Sequence, residues 1–182
     1  FRFYISYSRG FRPSVLDDLC RTGRVRGGMK VANPDLKPEY LDNFEAGSDY
    51  FLFKNLKLSA SIYYSRGKDF LYYVSTGDSI DMGFGLRPVM MRRNISGVEI
   101  YGSELELNFN PVPGMNTFAN YSFTRSKIID YKPFSTNDPI NLKGNSLTDV
   151  PVHSFSAGLI ISSKIVNAGI SGRYNGPMYI ND

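Results

Sequence analysis

Apolar and polar residues alternate with a period of two through seven segments of the chain, the spacing of a β-strand whose two faces meet different surroundings. In the first segment Phe1, Phe3, Ile5 and Tyr7 share one face, opposite Arg2, Tyr4, Ser6 and Ser8. In the second, about 40–53, Phe44, Ala46, Tyr50 and Leu52 alternate with Asn43, Glu45, Gly47 and Asp49. The third sets Leu56, Leu58, Ala60, Ile62 and Tyr64 against Lys57, Ser59, Ser61 and Tyr63. The pattern returns with Tyr101, Leu105, Leu107 and Phe109 opposite Glu104, Glu106 and Asn108, and with Ala119, Tyr121 and Phe123 opposite Asn120, Ser122 and Thr124. Phe155, Ala157, Leu159 and Ile161 then oppose Ser154, Ser156 and Ser162, and Ala168, Ile170 and Tyr174 oppose Asn167, Ser171, Arg173 and Asn175.

The connections are sorted by length. Short turns fall at Lys54-Asn55, Pro111 to Met115 and Ser163-Lys164, and long polar excursions run roughly over 11–38, 75–93 and 131–149. Compact soluble domains keep most connections short. An outer-membrane barrel instead sets tight periplasmic turns against long extracellular loops. The polar faces carry charged and amide groups, and the apolar faces place Tyr near strand ends, as interfacial girdles do. The predicted fold class is all-β, an antiparallel transmembrane β-barrel; the competing reading is a sandwich of half-buried strands. Seven strands leave the first and last pointing the same way, whereas bacterial barrels use even numbers and an open edge cannot face lipid. About seven strands of a larger barrel are therefore expected. The start at Phe1 inside a strand, without Met or an export signal, and the ending at Asn181-Asp182 agree with that expectation.

Composition sharpens this in three places. Thirteen Tyr, thirteen Phe and 17 Gly favour strands over helices. A mean hydropathy of −0.25 and the lack of any run near 18–20 apolar residues exclude helical membrane spans. One Cys (Cys20) and one His (His153) leave no internal disulfide and no histidine metal cluster. No cofactor is expected. The net charge of +4, without a basic run interleaved with aromatics, gives no reason to expect a nucleic-acid partner.

With the strands placed, the phrases at loop-to-strand junctions carry a resemblance. Tyr7-Ser8-Arg9-Gly10-Phe11-Arg12-Pro13 followed by Asp18-Leu19, and Asn33-Pro34-Asp35-Leu36-Lys37-Pro38-Glu39 followed by Asn43-Phe44-Glu45-Ala46-Gly47, resemble the strand exit and strand return of TonB-dependent outer-membrane receptors. Asn94-Ile95-Ser96-Gly97 with Ile100-Tyr101-Gly102-Ser103-Glu104-Leu105-Glu106-Leu107, and Val150-Pro151-Val152-His153 with Phe155-Ser156-Ala157-Gly158, are similar to two further phrases of that family. Order and spacing agree across nearly the whole chain. The Pro residues hold their neighbours extended and remove backbone donors, and Gly47 and Gly102 leave room on the wall.

The resemblance implies residues 1–182 as part of a roughly 22-stranded barrel that encloses an N-terminal plug, with the plug and the remaining strands outside this chain. It implies a Gram-negative outer-membrane receptor that imports a scarce nutrient (siderophore-iron, cobalamin or a glycan) with energy from TonB, which contacts an N-terminal segment (the TonB box). The competing function is a passive porin. It also implies that Glu45 and Glu104, with Glu106 as a third, meet plug arginines, since a buried carboxylate needs a partner; solvated wall residues are the alternative. The loops lean positive. Arg12, Arg21, Arg24, Arg26, Lys30 and Lys37 in the first and Arg87, Arg92 and Arg93 in the second suit an anionic substrate, or lipopolysaccharide phosphates in the surrounding membrane. Tyr72 and Tyr73 are further substrate candidates, with membership of the aromatic girdle as the plainer account.

Catalytic patterns are missing. There is no G-x-S-x-G or H-E-x-x-H, and Gly83-Phe84-Gly85 lacks the third glycine of a dinucleotide site. His153 beside Ser154 and Ser156 lacks an orienting acid, so no enzyme is expected.

Overall fold

A computed structural model describes residues 1–83, 85–131 and 141–179. Residues 132–140 of the third long connection, together with Phe84 and the terminal residues 180–182, lie outside the described residues. The elements in chain order are β1 (Arg2–Arg12), α1 (Leu16–Cys20), β2 (Gly23–Val25), β3 (Gly28–Val31), β4 (Glu39–Phe53), β5 (Leu56–Asp81), β6 (Leu86–Phe109), β7 (Met115–Asp130), β8 (His153–Ser162) and β9 (Asn167–Asn175).

Seven of these strands form the expected wall. They lie in the order β1-β4-β5-β6-β7-β8-β9, each antiparallel to the next, and the sheet is open at β1 and β9. Lys54-Asn55 joins β4 to β5 as predicted, whereas the turn at Ser163 runs on to Val166. There the Ser163 hydroxyl accepts from the Val166 N–H at 2.9 Å and closes the loop.

The second excursion departs from expectation. Residues 75–93 are predicted as loop, yet β5 runs to Asp81 and β6 starts at Leu86, so the two form one long hairpin with a register shift between Ser75 and Ser79. No apolar stripe announces this extension, because beyond the membrane neither face meets lipid. The first excursion is also partly ordered. It contains α1 and a hairpin, β2–β3, whose two-residue turn puts Gly27 at φ +93°. β3 then runs parallel to β6, pairing Met29, Lys30 and Val31 with Val89, Met90 and Met91.

Burial inverts the pattern of a soluble sandwich. On the wall's apolar face Ile5 is 75% and Ile62 64% exposed, while the buried apolar residues Val74, Val98, Ile128, Leu142 and Leu147 cluster at the loop end. A large exposed apolar surface of this kind marks contact with lipid. Tyr7, Phe44, Tyr64 and Tyr101 share one rung across β1, β4, β5 and β6, with Tyr7 and Phe44 rings 4.9 Å apart. From Leu56, the first residue after the turn, to Tyr64 is nine residues. A tilted membrane strand needs about 9–11, so this rung is an aromatic girdle at the far limit of the bilayer.

The opposite face is polar, and its few rings lie flat. Tyr4 lies over Gly47 and donates to Glu45 Oε1 at 2.7 Å; Tyr63 lies over Gly102 and meets Thr124 Oγ1 at 2.7 Å; Phe118 lies over Gly158. The three atoms nearest a Cβ at Gly47 all belong to the Tyr4 side chain, whereas the nearest to one at Gly102 is the Phe123 carbonyl oxygen. Gly47→Ala should thus cost about 1–3 kcal/mol and become nearly neutral in a Tyr4→Ser background, while Gly102→Ala should stay costly in a Tyr63→Ser background. Denaturation of the full-length protein followed by the gel mobility of the folded barrel measures both cycles, and equal relief in the two would contradict this geometry.

Candidate functional site

Three rungs of the polar face build a shallow groove. Along the first lie Ser6, Glu45, Tyr63, Gly102 and Thr124; along the second Tyr4, Gly47, Ser61, Glu104, Ser122 and Ser154; along the third Arg2, Asp49, Ser59, Glu106, Asn120, Ser156 and Arg173. Glu45, Glu104 and Glu106 line one groove of about 340 Å³, with Asp49 and Arg173 at its edge. The sequence places these three carboxylates on one face, and the structure brings them together.

The carboxylates differ in what holds them. Asp49 is paired with Lys57 Nζ at 3.1 Å and accepts from Ser59 Oγ at 2.7 Å. Among the described residues Glu45 accepts from the Tyr4 hydroxyl and Glu106 from the Asn108 amide. Glu104 stands between Ser61 and Ser122, short neighbours that leave its carboxylate open to the lumen. Among the described residues none of these three glutamates is ion-paired, whereas on the same strands Asp42 pairs with Arg9, Glu39 with Arg12 and Asp49 with Lys57. Chemically the groove is a cluster of negative charge with an open approach for cationic donors.

A second polar cluster sits at the loop end. Asp18 of α1 is buried and accepts hydrogen bonds from Lys30 Nζ at 3.0 Å and the Tyr73 hydroxyl at 3.2 Å; Arg92 Nε is ion-paired with it at 3.3 Å, and the Arg92 guanidinium lies 4.2 Å over the Tyr73 ring. Lys30 is almost fully buried as well and also donates to the Asp17 carbonyl at 2.7 Å and to the Asp17 carboxylate. Burial pulls the Lys30 ammonium down, but the Asp17 and Asp18 carboxylates more than offset it and leave it above its ordinary range. Hydrogen bonds from Lys30 and then Arg21 hold the Asp17 carboxyl below the usual carboxylate range. Nearby, two of the junction phrases are pinned to each other. The Lys37 N–H donates to Asn94 Oδ1 and Asn94 Nδ2 donates to the Lys37 carbonyl, both at 2.9 Å.

The five substrate candidates scatter over this end. Tyr73 and Arg92 belong to the Asp18 cluster. Tyr72 packs against the apolar cluster of Val74, Val98, Leu142 and Leu147 and donates to Thr148 Oγ1 at 3.3 Å, with Arg93 directly across from it on β6. Arg87 lies near the hairpin tip, where it shares a cavity of about 280 Å³ with Arg24, Gly28 and Met82. Tyr72 and Tyr73 stand apart from the girdle rung of Tyr64. They lie eight and nine residues past Tyr64, so about 25–30 Å farther along the strand, and both are engaged by loops. The Asp18–Lys30 pair is not legible in the sequence, because its members lie on α1 and β3 and look like ordinary loop charges.

A family model described as TonB dependent receptor-like, beta-barrel matches residues 1–182. The chain belongs to the TonB-dependent receptor barrel family. It is 29% identical over 158 residues to the iron-regulated outer membrane virulence protein of Vibrio cholerae serotype O1, a match covering 84% of this chain and 23% of that protein. In fold it is similar to the copper transporter OprC (TM-score 0.62, 20% identity, 94% of this chain and 24% of that one). It is likewise similar to the ferric-catecholate import receptor Fiu from E. coli K12 (TM-score 0.61, 20% identity, 97% and 22%). The chain spans about a quarter of the length of these relatives. As a member of this family it is part of a barrel wall of the Gram-negative outer membrane.

Removing Asp18 tests the loop-end cluster. Breaking one side of a buried ion pair costs about 3–5 kcal/mol, here confined to the first loop. In full-length Asp18→Ala protein, amide exchange over Gly28–Val31 should accelerate by about two to four orders of magnitude while β4 keeps its protection. Unchanged exchange would mean that the β3–β6 pairing alone holds the hairpin.

Proposed function

We propose that the protein is the wall of a plugged, roughly 22-stranded importer and that its plug docks guanidinium groups on Glu45, Glu104 and Glu106. The observation that carries this is the groove that gathers three carboxylates without an ion pair among several short serines. A surface built only to be wetted has no reason to keep its neighbours so short. A charge-assisted, bidentate Arg–carboxylate contact needs that clearance and becomes strong where water is excluded. The passive-porin reading leaves the same carboxylates in water.

The substrate class follows from the relatives. One is described as iron-regulated, one transports copper and one imports ferric-catecholate, so we infer uptake of a metal ion or metal chelate, with cobalamin and glycans as less favoured cargo. Arg87 with Arg24, both exposed and lining one cavity, offers a cationic surface for an anionic chelate. Tyr72, Tyr73, Arg92 and Arg93 contribute by holding the loops that frame it. Energy comes from TonB acting on a segment N-terminal to the wall.

Two measurements test this. In the full-length receptor, Glu45→Gln with Glu104→Gln should raise single-channel conductance or lower the urea concentration that releases the plug. Unchanged values would assign both residues to a solvated wall. Uptake of ferric chelates should vanish in a strain lacking TonB, and persistence would overturn the importer reading.

A further inference from the structure

Strict alternation breaks at one point of β5. Up to Lys68 its even residues, Ile62 and Tyr64 among them, face away from the lumen and its odd residues face into it. Past Asp69 the assignment is reversed. The Phe70 ring lies over Gly67 beside Val98, although residues three apart on a regular strand point to opposite faces, and Phe70, Tyr72 and Val74 all pack with the lumenal Val98 and Ile128. Leu71 and Tyr73 are thereby turned away from the lumen, and Leu71 is buried there.

Asp69 makes the turnover. Its φ of +57° lies in the left-handed region, and it stands outside the ladder, in which Lys68 pairs with Gly97 and Phe70 with Ile95. Two backbone groups at this kink are held by side chains instead of a strand. Asn94 Nδ2 donates to the Asp69 carbonyl at 2.6 Å, and the Leu71 N–H donates to Glu39 Oε1 at 2.5 Å. Glu39 is buried, and its other oxygen takes Arg12. Both clamps are tied to the segment that returns from the first loop, because Asn94 is bonded to the Lys37 N–H and carbonyl and Glu39 follows two residues later.

The third loop depends on this reversal. Its Leu142 and Leu147 pack on Val74 and Val98, the Leu147 N–H donates to Ser126 Oγ at 3.0 Å, and the Gly144 N–H donates to the Ile128 carbonyl at 2.8 Å. Ser126 and Ile128 share a strand face with Ser122 and Thr124, so the loop is seated on the lumen side. With unbroken alternation Tyr72 and Val74 would point away from it. The seat inside the lumen is therefore held from the opposite face of the sheet, by Asn94 and Glu39.

We propose that Asp69 and its two clamps form a lever joint, through which withdrawal of the returning segment Lys37–Glu39 outside the sheet unseats the third loop inside the lumen. The joint rests neither on plug contact nor on TonB coupling. Amide exchange in the full-length receptor tests it at Gly144 and Leu147, which lie across the sheet from the substituted side chains. Asn94→Ala should accelerate both by about tenfold or more, while the wall from Leu105 to Phe109 keeps its protection. Asp69→Gly accepts a positive φ and should leave both amides protected, whereas the β-branched Asp69→Val resists it and should expose them. Asp18→Ala frees α1 without touching the clamps and should also leave them protected. Coupling is reciprocal, so Leu142→Ala/Leu147→Ala should accelerate exchange of the Lys37 amide. Should Asp69→Val lose its folded mobility on gels, Asp69→Ala is measured in its place. Retained protection of Gly144 and Leu147 in Asn94→Ala overturns the proposal, as does equal acceleration in Asp69→Gly or Asp18→Ala. An unmoved Lys37 amide in the Leu variant overturns it too, and loss of protection through Leu105–Phe109 would mark plain destabilisation in its place.

Discussion

In hydrocarbon each backbone N–H and C=O must find its partner on the neighbouring strand, because an unsatisfied group costs several kcal/mol and no water is present to help. The ladder from β1 to β9 is the result, and it does more than satisfy the backbone. Register sorts every side chain twice. Parity along the strand sends it to lipid or lumen, and its rung sets which residues of other strands it meets. Glu45 faces the lumen by parity, but it receives Tyr4 because Tyr4 sits opposite Gly47, one rung away. Tyr64 faces lipid by parity, and it reaches Glu99 because both lie beside the same girdle rung.

A wall with lipid on one side and a lumen on the other has little core of its own. Val98 and Ile128, the largest fully buried side chains, lie where the loops fold back. Elsewhere lateral contacts take over. The rings of Tyr4, Tyr63 and Phe118 cover glycines on adjacent strands, which shields bare backbone and keeps aromatic bulk out of the lumen. This same flattening leaves Glu104 standing above its neighbours. The economy of the wall and the openness of the carboxylate groove therefore have one cause.

Parity is legible in the chain because a period of two survives any error in where a strand ends. The seven wall strands, the lumenal glutamates and the exposed apolar face all follow from it. Rungs are not legible, because they depend on turn lengths and on shifts such as those between Phe51 and Phe53 and between Gly97 and Val98. Arg66 and Lys127 share a rung only after two hairpins and one such shift have been counted correctly. The extension of β5 and β6 was hidden for a different reason. Its neighbours are loops of mixed polarity, so it carries no lipid stripe, and Ser75 to Asp81 read as polar connection. The substrate candidates went with it, since their surroundings are set by the loops that cover that extension.

That extension joins the two ordered loops mechanically. Tyr72 and Tyr73 are adjacent, so on a strand they point to opposite faces. One enters the apolar cluster with Leu142 and Leu147 of the third loop, and the other donates to Asp18 of the first. On β6 the register repeats the arrangement, with Arg93 across from Tyr72 and Arg92 across from Tyr73. A shift of this hairpin cannot loosen one loop without moving the other, because the residues that hold them share a peptide bond. The first loop adds a constraint of its own. Its buried Lys30 ammonium is tolerable only while Asp18 and Asp17 stay beside it, so the loop holds its place as a unit with α1. The outer mouth is therefore built around the β5–β6 hairpin as its fixed post, in continuity with the strands that carry Glu104 and Glu106 in the lumen.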